Sequence, residues 1–562
     1  MKVNIVYTFF VFVFIGLQCF SQELPPVISF SSKDYQADNQ NWAISQGENK
    51  HIYVANNKGL LEFNGDSWSL YPSPNESIIR SVFVYEEKIY TGCYREFGFW
   101  ERQETGTLKY TSLSKDLENE MVEDEQFWTI LNYSNFLLFQ SLNSIYIYNI
   151  QDGDIQKIVS EEGITKMFQV ENDIYLSKPK TGIYKLSNGQ TQLVSDHTIF
   201  KENLIVNLYK INNTLLVQTN SSGIYTLEEN PELWGNENAD FLKSLNVYNS
   251  LQTNSGDIIL GTISQGMVYL NKQGQTEFQI TKNQSLSNNT VLSIFEDDTG
   301  NIWLGLDNGI DCINLKSSVR IFNDDSGKLG TVYTSAVFDG NLYLGTNQGL
   351  FYRSLNDDLT SKFNLIDASV GQVWSLFVYD DTLFCGHHEG TFIVENTSLR
   401  KISENPGTWC FKTVETNENL LLQGNYEGVS LLEKRNGEWQ FRNTLTGFNM
   451  SSKFIEFVDK NTFLVAHEYK GIYALTVDIS QSKVSKTLEI LSVPIPNSTR
   501  NAMLGYENVI EYQDEVYLFG NAQGYFLLDL KRFQNRKQNP SLAIHKVTAN
   551  QINKPQFHLL RI

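Results

Sequence analysis

Cysteine and histidine are scarce in this chain, which limits the metal and redox chemistry that it can support. Its 562 residues include five cysteines and seven histidines, and Cys19 lies in an N-terminal leader. The other four cysteines, Cys93, Cys312, Cys385 and Cys410, form no C-x-x-C pair, so their spacing predicts no metal site. We expect small buried apolar side chains at most of these positions. A disulfide between Cys385 and Cys410 is the alternative.

Motifs of catalysis and cofactor binding are also lacking. No glycine-rich phosphate loop precedes a helix, and the S-x-D-x-G-x-T-W aspartate box of sialidases is absent. The one histidine cluster, His387-His388, falls in a turn where adjacent side chains point apart, which favours solvated residues over a metal site. With 64 acidic residues, a chance pair of carboxylates would not indicate glycan hydrolysis. The sequence therefore predicts no catalytic residue, no metal and no cofactor.

Positive charge is in deficit. The chain has 44 Lys and Arg against 64 Asp and Glu, which gives a formal net charge of −20. Contacts to nucleic-acid phosphates need clustered cations. We therefore expect no nucleic-acid contact by this chain.

Long apolar runs are confined to the N-terminus. Met1–Ser21 contains Lys2, an apolar stretch at Ile5–Leu17 and a small final residue, which is the pattern of a signal peptide. The stretch is short for a membrane span, and an uncleaved anchor is the alternative. Gln18 before Cys19 does not fit a lipoprotein box. We predict export to the periplasm or another extracytoplasmic location.

A repeated segment dominates the rest of the chain. A clear copy is Phe295–Ile310, FEDDTGNIWLGLDNGI, in which two turns flank the apolar strand Ile302–Leu304. About twelve such units follow one another at a spacing of roughly 38–46 residues, with a final step of about 53. The glycines of the second turn are Gly59, Gly98, Gly182, Gly223, Gly266, Gly309, Gly349, Gly390, Gly428, Gly471 and Gly524, with Ser144 in the glycine's place in one unit.

A period near 40 with short strands between turns is typical of a β-propeller, in which each unit supplies a four-stranded blade. Helical repeats of similar length need a 3.6-residue apolar periodicity that is absent here. An irregular β-sandwich with chance glycines is the alternative. Because one ring holds about four to eight blades, we predict an all-β chain with two consecutive β-propellers.

The repeat also suggests domain limits. We place the signal peptide at 1–21, the N-terminal β-propeller at 22–325 and the C-terminal β-propeller at 326–538, which gives about seven units and five. A cut near Ser285–Asn289, which gives six and six, stays open. Val27–Ser31 is a candidate strand that closes a ring or joins the two. Residues 539–562 depart from the repeat, and Pro540–Val547 is predicted to form one new strand.

Every unit but the last opens with an apolar segment that we assign to the innermost strand of a blade. The second position of each opening varies in type, as expected of a binding surface on a repeated scaffold. These positions are Trp42, Arg80, Trp128, Lys166, Asn207, Asn249, Ser293, Ser335, Trp374, Phe411 and Phe454. Because flat rings stack on sugars and cations hold acidic groups, we predict ligand-binding roles for six of them. The six are Trp42, Arg80, Trp128, Lys166, Trp374 and Phe411. Alternatively, the aromatic side chains fill space between blades.

Two units resemble the two-component-regulator propeller repeat, whose pattern is roughly D-x-x-G-x-[LI]-W-[LV]-G-T-x-x-G-[LI]. The resemblance covers most of Asn41–Leu530, and Ala55–Trp68 matches the opening unit of the family. The first unit matches at Asp298, Gly300, Trp303, Gly305 and Gly309, and the second at Asp339, Gly340, Tyr343, Gly345, Thr346 and Gly349. We predict structural roles in the repeat for Asp298, Gly300, Trp303, Gly305, Gly309, Gly345 and Gly349.

The resemblance implies a function. In that family, paired extracytoplasmic propellers form the sensor half of bacterial regulators, followed by a triple-tyrosine β-sandwich, a membrane helix and a histidine kinase or helix-turn-helix domain. It implies that 539–562 begins a truncated triple-tyrosine-type β-sandwich and that a membrane-linked output domain is missing. It further implies a non-catalytic sensor of a glycan or other extracellular ligand. A secreted propeller hydrolase or lyase is the alternative, because the fold alone does not decide. Homodimer formation stays open.

Overall fold

A computed structural model describes residues 23–532 apart from 188, 236–237, 325, 357–361, 458–459, 468–470, 492–508, 515, 522–523 and 530. The regular structure of these residues is almost all β and forms twelve antiparallel sheets. They divide into two compact units. The first unit is Pro25–Ser317, and the second combines Glu23 and Leu24 with the chain from Ser318 onward. The predicted all-β fold of repeated four-stranded sheets is confirmed.

The first unit contains seven sheets within its described residues. The chain opens with β1 (Val27–Phe30), and the first two sheets are β2 (Asn41–Gln46), β3 (Ile52–Asn56), β4 (Gly59–Phe63) and β5 (Trp68–Pro72), then β6 (Ser81–Tyr85), β7 (Lys88–Gly92), β8 (Phe97–Arg102) and β9 (Leu108–Ser112). The next two are β10 (Thr129–Tyr133), β11 (Phe136–Gln140), β12 (Ser144–Asn149) and β13 (Ile155–Val159), then β14 (Lys166–Val170), β15 (Asp173–Lys178), β16 (Gly182–Ser187) and β17 (Gln190–Ser195). The last three are β18 (Ile205–Ile211), β19 (Thr214–Thr219) and β20 (Ile224–Thr226), then β21 (Val247–Gln252), β22 (Ile258–Thr262), β23 (Met267–Leu270) and β24 (Thr276–Ile280), then β25 (Val291–Glu296), β26 (Ile302–Leu306) and β27 (Ile310–Ile313) with β1.

These seven sheets close into a ring. The innermost strands β2, β6, β10, β14, β18, β21 and β25 contact one another in succession, and β25 contacts β2 again. The strand β1 pairs with β27, from Val27 opposite Ile313 to Phe30 opposite Ile310. The start of the unit therefore completes its last sheet, and Val27–Ser31 closes the first ring.

The second unit contains five sheets within its described residues. The first three are β29 (Val332–Phe338), β30 (Asn341–Thr346), β31 (Leu350–Ser354) and β32 (Asn364–Leu365), then β33 (Val373–Tyr379), β34 (Thr382–His387), β35 (Gly390–Glu395) and β36 (Ser398–Ser403), then β37 (Cys410–Thr413), β38 (Leu420–Asn425), β39 (Gly428–Arg435) and β40 (Glu438–Thr444). The last two are β41 (Phe454–Phe457), β42 (Thr462–His467), β43 (Gly471–Asp478) and β44 (Lys483–Leu491), then β45 (Val509–Gln513), β46 (Val516–Asn521) and β47 (Gly524–Asp529) with β28 (Val319–Asn323).

The strand β28 belongs to the second unit. It pairs with β47, from Val319 opposite Leu528 to Asn323 opposite Gly524, and Leu24 bridges to Ile321 on its other side. The division at 325/326 proposed from the sequence placed both segments in the first propeller. The structure differs because strand pairing across the chain, which no local pattern reveals, completes the last sheet.

One sheet of the first unit keeps three strands. Leu233 makes only an isolated bridge with Tyr225, at the place where a fourth strand would lie. Pro231 interrupts this segment, and proline cannot donate to a strand ladder. The helices of the described residues are short and lie in connections: α1 (Thr198–Glu202), α2 (Ala239–Ser244) and the 3₁₀ helices Lys115–Glu120 and Asp367–Ser369.

The cores lie between neighbouring sheets. Tyr53 and Leu60 of one sheet pack with Ile89 and Trp100 of the next. Each sheet is therefore buried on both faces, which explains strands such as β26 with every residue buried. All four described cysteines are free, so no disulfide joins Cys385 to Cys410; Cys93, Cys312 and Cys385 are buried and Cys410 is half-buried.

Two glycines of the repeat have different physical roles. A Cβ on Gly305 would lie 2.2 Å from Ser293 Oγ and 2.5 Å from the backbone oxygen of Asn41, so glycine allows adjacent innermost strands to approach. Gly309 has φ of +106°, which only glycine adopts without strain. The glycines of the repeat thus set both the blade spacing and the turn between strands.

The acidic residue of the repeat is one position earlier than predicted. Asp297, which is buried, accepts hydrogen bonds from Trp303 Nε1 at 3.0 Å, Thr299 Oγ1 at 2.6 Å and Asn301 N at 2.9 Å. Asp298 is exposed instead and pairs with Lys50. The predicted role of Asp298 therefore belongs to Asp297, because only the carboxylate before the turn can face both the turn and the tryptophan.

Two predicted segments lie outside the described residues. They are the signal peptide at 1–21 and the start of a β-sandwich at 539–562. Within the described part of the chain, no helix has the length and apolar character needed to cross a membrane.

Candidate functional site

A β-bulge recurs at the start of the innermost strands. In β2, Asn41 pairs with Asn56 and Ala43 with Ala55, so Trp42 is an extra residue between them. A bulge re-aims a side chain away from the regular alternation of a strand. Within the described residues the same arrangement places Trp42, Val206, Tyr248, Leu292, Tyr333 and Trp374 in equivalent positions.

In other sheets there is no bulge, and the equivalent residue directly precedes the first paired residue of the innermost strand. The backbone N–H groups of Arg80 and Trp128 donate to Gly92 O and Gln140 O at 2.9 Å, and those of Thr165 and Trp409 donate to Ser177 O and Gly424 O at 2.8 Å. Lys453 directly precedes Phe454, the first paired residue of β41. We call Trp42, Arg80, Trp128, Thr165, Val206, Tyr248 and Leu292 the first hub ring, and Tyr333, Trp374, Trp409 and Lys453 the second hub ring.

Arg80 lies in the corner formed by two perpendicular indole rings of the first hub ring. Its guanidinium carbon is 4.0 Å from the ring centroid of Trp42 and 4.7 Å from that of Trp128. The two indoles meet edge to face at 6.2 Å. Arg80 Nε donates to Gln126 Oε1 at 3.0 Å, and Trp42 Nε1 donates to Asn57 Oδ1 at 2.7 Å. Cation–π contacts and neutral hydrogen bonds therefore fix the guanidinium in place.

No carboxylate compensates the charge of Arg80 among the described residues. Its Nη1 is buried and has no hydrogen-bond partner there. Burial lowers the pKa of Arg80, and the hydroxyl of Tyr248 acts in the opposite direction. Burial raises the pKa of Tyr248, whereas Arg80 lowers it. Tyr248 is 39% exposed, so an accessible ring lies within electrostatic range of the guanidinium.

Lys166 is the second cation at the starts of the first unit's innermost strands. It directly follows Thr165 of the first hub ring and is half-buried. Burial lowers the pKa of its ammonium group to about 8. The described residues at the other starts, such as Asn41–Ile44 and Val291–Ile294, include no acidic side chain. The described starts of the first unit's innermost strands thus hold two cations and no carboxylate, and Asp307 accepts a hydrogen bond from Gln40 Nε2 at 2.7 Å next to one of these starts.

The second hub ring is a continuous aromatic stack. Tyr333 and Trp374 stack with centroids 5.2 Å apart, and Trp374 and Trp409 are 4.7 Å apart. Lys453 Nζ lies 5.0 Å from the Trp409 ring. Trp374 Nε1 donates to the hydroxyl of Tyr426 at 2.9 Å. Tyr333, Trp374 and Lys453 are buried, whereas Tyr248 of the first ring is exposed.

The predicted site residues divide between these positions. Trp42, Arg80 and Trp128 come together in the first hub ring, and Trp374 lies in the second. Lys166 lies one residue after Thr165, the member of the first hub ring in the same sheet.

Phe411 is a core residue. It lies two residues beyond Trp409 and is buried 5.8 Å from Phe377 and 5.6 Å from Phe384 between two sheets. The predicted binding role of Phe411 is therefore wrong, because its ring fills a blade interface.

Residues one position past the hub ring hold adjacent blades together. Asn207 Nδ2 donates to Ser250 O at 2.7 Å, and Asn249 Nδ2 donates to Leu292 O at 3.0 Å. Ser293 Oγ donates to Asn41 O at 3.1 Å. These polar side chains satisfy backbone groups of the next innermost strand, so their variation reflects blade contacts and not ligand recognition.

Sequence analysis missed Tyr248, Tyr333, Trp409 and Lys453. In these units the alignment of the apolar openings was one or two residues too late, because the apolar pattern does not show which residue begins the strand pairing. A usable signal does exist. In the units whose second strand has a glycine at this place, the hub residue directly precedes the residue that pairs with that glycine, as Leu292 precedes Ser293 opposite Gly305.

The two adjacent histidines have different environments. His387 is buried, its Nε2–H donates to Ser369 O at 3.2 Å, and its Nδ1 accepts from Glu389 N at 3.2 Å. Burial, together with His388, lowers the pKa of His387 to about 4. The prediction of a solvated turn residue is therefore wrong for His387, since its ring completes a turn. The described residues include no group of three or more His, Cys, Asp or Glu arranged to hold a metal ion.

Residues 285–308 match the family model of the two component regulator propeller. The chain carries the regulator propeller repeat. The matched segment includes Asp298, Gly300, Trp303 and Gly305, on which the resemblance was based, so the resemblance is confirmed for this unit. No curated protein sequence matches the chain.

A solved extracellular domain shares the fold of this chain. The extracellular domain of BT3049 from B. thetaiotaomicron, assigned to a hybrid two component system, aligns with a TM-score of 0.67 and 13% identity over 92% of this chain and 84% of that chain. The extracellular domain of BT4673 from the same organism, assigned to a one component system, has a TM-score of 0.42 and 14% identity over 91% and 73%. A streptogramin B lyase has a TM-score of 0.42 and 11% identity over 52% and 99%. At these identities the first alignment shows the fold alone, and the other two scores are too low for any inference.

Proposed function

We propose that this chain is the extracytoplasmic, non-catalytic sensor region of a bacterial signal-transduction regulator and that its first hub ring binds an extracellular glycan. The observation that carries this proposal is the placement of Arg80 between Trp42 and Trp128 at the hub of a closed ring of seven sheets. Ligand sites in proteins combine aromatic surface with a few fixed polar groups. The hub supplies both from side chains that rigid strands hold in place.

Sugar recognition fits the chemistry of this hub. Aromatic rings stack on the apolar faces of sugars, and the exposed ring of Tyr248 offers such a face. Asn57 and Gln126 add amide groups beside Trp42 and Arg80. Amides donate and accept hydrogen bonds, as sugar hydroxyls do.

A binding role fits the first hub better than catalysis does. Glycan hydrolysis needs two placed carboxylates, and the innermost-strand starts described in the first unit have none. Two buried carboxylates of the first unit, Glu62 and Asp297, have structural partners. Glu62 accepts hydrogen bonds from Tyr71 at 3.0 Å and interacts with His51 at 2.8 Å, and Asp297 serves a turn and Trp303.

The signalling part of the proposal rests on the regulator propeller repeat and on the leader. With Met1–Ser21 as its signal peptide, the sensor would be exported and its hub would lie outside the cytoplasm. Ligand binding at the hub would then change the activity of a membrane-linked output partner. A homodimer of the sensor is one arrangement that couples binding to such a partner. Cross-linking of the full chain with and without ligand measures that arrangement.

A glycan panel tests the proposed function. The full chain is screened by thermal shift and hits are titrated by calorimetry. Tyr248→Ala should weaken binding at least about fivefold, because the variant loses an accessible ring face. Tyr133→Ala is the matched control, since Tyr133 is 40% exposed at the opposite end of an innermost strand, and it should bind normally. Absence of binding to every glycan, or equal losses in both variants, would contradict the proposal.

A further inference from the structure

We infer that the first hub ring selects an acidic saccharide, whose carboxylate or sulfate group binds against the guanidinium of Arg80. This inference rests on the proposed function and specifies its ligand class. It follows from the juxtaposition of an uncompensated, ring-clamped arginine with an exposed tyrosine at the hub.

The distribution of charge supports an anionic ligand. The chain has a formal net charge of −20, yet the charged side chains described at the starts of the first unit's innermost strands are Arg80 and Lys166. None of the ion pairs found among the described residues includes either side chain. A cationic hub in an acidic protein favours anions locally, because a cleft concentrates the field of the charges that line it.

Arg80, which is half-buried, contrasts with the buried Arg353. Arg353 pairs with Glu23 at 2.9 Å and lies against the hydroxyls of two tyrosines. Arg80 has one amide partner and two ring faces, and its Nη1 is buried without a partner among the described residues. Withdrawing a charge from water without a counter-ion is unfavourable. An incoming anion would supply the missing counter-charge, so its binding would also remove the unfavourable energy of the uncompensated guanidinium.

The geometry also favours arginine over a generic cation. Trp42 and Trp128 contact Arg80 from two sides, and Gln126 holds its Nε. A planar guanidinium clamped in this way presents a fixed fork to a carboxylate or a sulfate, whereas a lysine ammonium is a mobile point charge. Arg80→Lys should therefore retain the charge and still lose affinity.

The test is calorimetric titration of the full chain with three oligosaccharides of similar length. Trigalacturonate carries carboxylates, a sulfated galactan trisaccharide carries sulfates, and maltotriose is neutral. We expect at least one acidic ligand to bind at least about tenfold more tightly than maltotriose, which corresponds to about 1.4 kcal/mol. The acidic ligand that binds more tightly identifies the anionic group. Its affinity should fall as ionic strength rises, since salt screens charge pairs.

Two variants test whether the preference for acidic ligands depends on the hub. Arg80→Met should reduce binding of the acidic ligand at least tenfold, or about 1.4 kcal/mol, and leave binding of maltotriose unchanged. Lys210→Met is the matched control, because Lys210 lies at the far end of an innermost strand and pairs with Glu171 at 2.7 Å. Thermal unfolding of each variant shows that the fold is retained.

The outcomes separate the two proposals. Equal affinity for acidic and neutral saccharides, with loss of both on Tyr248→Ala, would overturn the acidic preference and retain the glycan-binding function. Unchanged affinity of Arg80→Met for the acidic ligand would also overturn the inference. Failure of every saccharide to bind would overturn the proposed function itself.

Discussion

Glu23 and Arg353, which lie 330 positions apart in the sequence, form a buried ion pair inside the second unit. Glu23 Oε1 lies 2.9 Å from Arg353 Nη2 and accepts a hydrogen bond from the hydroxyl of Tyr525 at 2.6 Å. Only 5% and 2% of the two side-chain surfaces are exposed. The residue that precedes the first propeller therefore completes the interior of the second.

Breaking this pair should destabilise the second unit. Glu23→Gln leaves the guanidinium of Arg353 buried without its counter-ion, which costs about 3–5 kcal/mol of unfolding free energy. Chemical denaturation of the full chain measures the loss. Glu395→Gln is the control, because Glu395 pairs with Arg400 at 2.7 Å on the surface and should cost less than about 1 kcal/mol. Similar effects of the two changes would show that Glu23 is not buried as described.

The turn carboxylate gives a second prediction. Burial alone would raise the pKa of Asp297, but hydrogen bonds from Thr299, Trp303 and Asn301 hold that pKa below its ordinary value. Its stabilisation is therefore complete above about pH 4 and is lost as pH falls through the lowered pKa. Asp297→Asn should cost about 2 kcal/mol at pH 7, measured by chemical denaturation.

Asp298 provides the matched control for this prediction. It is the next residue, yet it is exposed and pairs with Lys50 on the surface. Asp298→Asn should change the unfolding free energy by less than about 0.5 kcal/mol. A larger effect at Asp298 than at Asp297 would restore the register expected from the repeat pattern.

His387 makes the second unit sensitive to mild acid. Its pKa is lowered to about 4 by burial and by His388, so the folded protein keeps the ring neutral while the unfolded chain binds a proton below about pH 6.5. Stability should fall as pH drops from about 6.5 to 4, by roughly 2 kcal/mol. Denaturation midpoints at pH 7.5 and 5 should converge in His387→Gln and not in His388→Gln. An unchanged pH dependence in His387→Gln would contradict the assignment.

Arg80 and Arg353 should respond differently to removal. Arg80→Met loses cation–π contacts of about 1–2 kcal/mol but also removes a half-buried charge that lacks a counter-ion, so the net change in stability should stay within about 1 kcal/mol. Arg353→Met should lower the unfolding free energy several times more, since it leaves the carboxylate of Glu23 buried without its counter-ion. Thermal unfolding compares the variants. A large loss at Arg80 would indicate a structural role for that residue.

The repeat could be predicted because its signals are local. Turn residues such as Gly309 and apolar strands such as Ile302–Leu306 lie within one unit, so their spacing indicates blades without knowledge of neighbours. The regulator propeller resemblance came from the same residues. The closing role of Val27–Ser31 was one of two alternatives, and only the pairing with β27 decided between them.

The candidate site was predicted in part. Trp42, Arg80 and Trp128 were found because their units keep the expected alignment. Phe411 was misplaced because aromatic residues at both 409 and 411 fit an apolar opening, and only strand pairing distinguishes the hub from the core. Tyr248 was missed because the opening of its unit was aligned one residue too late, at Asn249. The partner of Arg353 could not be predicted, since Glu23 lies far away in sequence.

Hydrogen exchange with and without trigalacturonate tests the central claim most directly. If the hub of the seven-sheet ring is the recognition surface, the ligand should slow exchange at the starts of β2, β6, β10 and β21, where Trp42, Arg80, Trp128 and Tyr248 lie. The far ends of the innermost strands, including Tyr133 of β10 and Lys210 of β18, should exchange as before. Protection confined to other regions of a chain that binds the ligand would contradict the account.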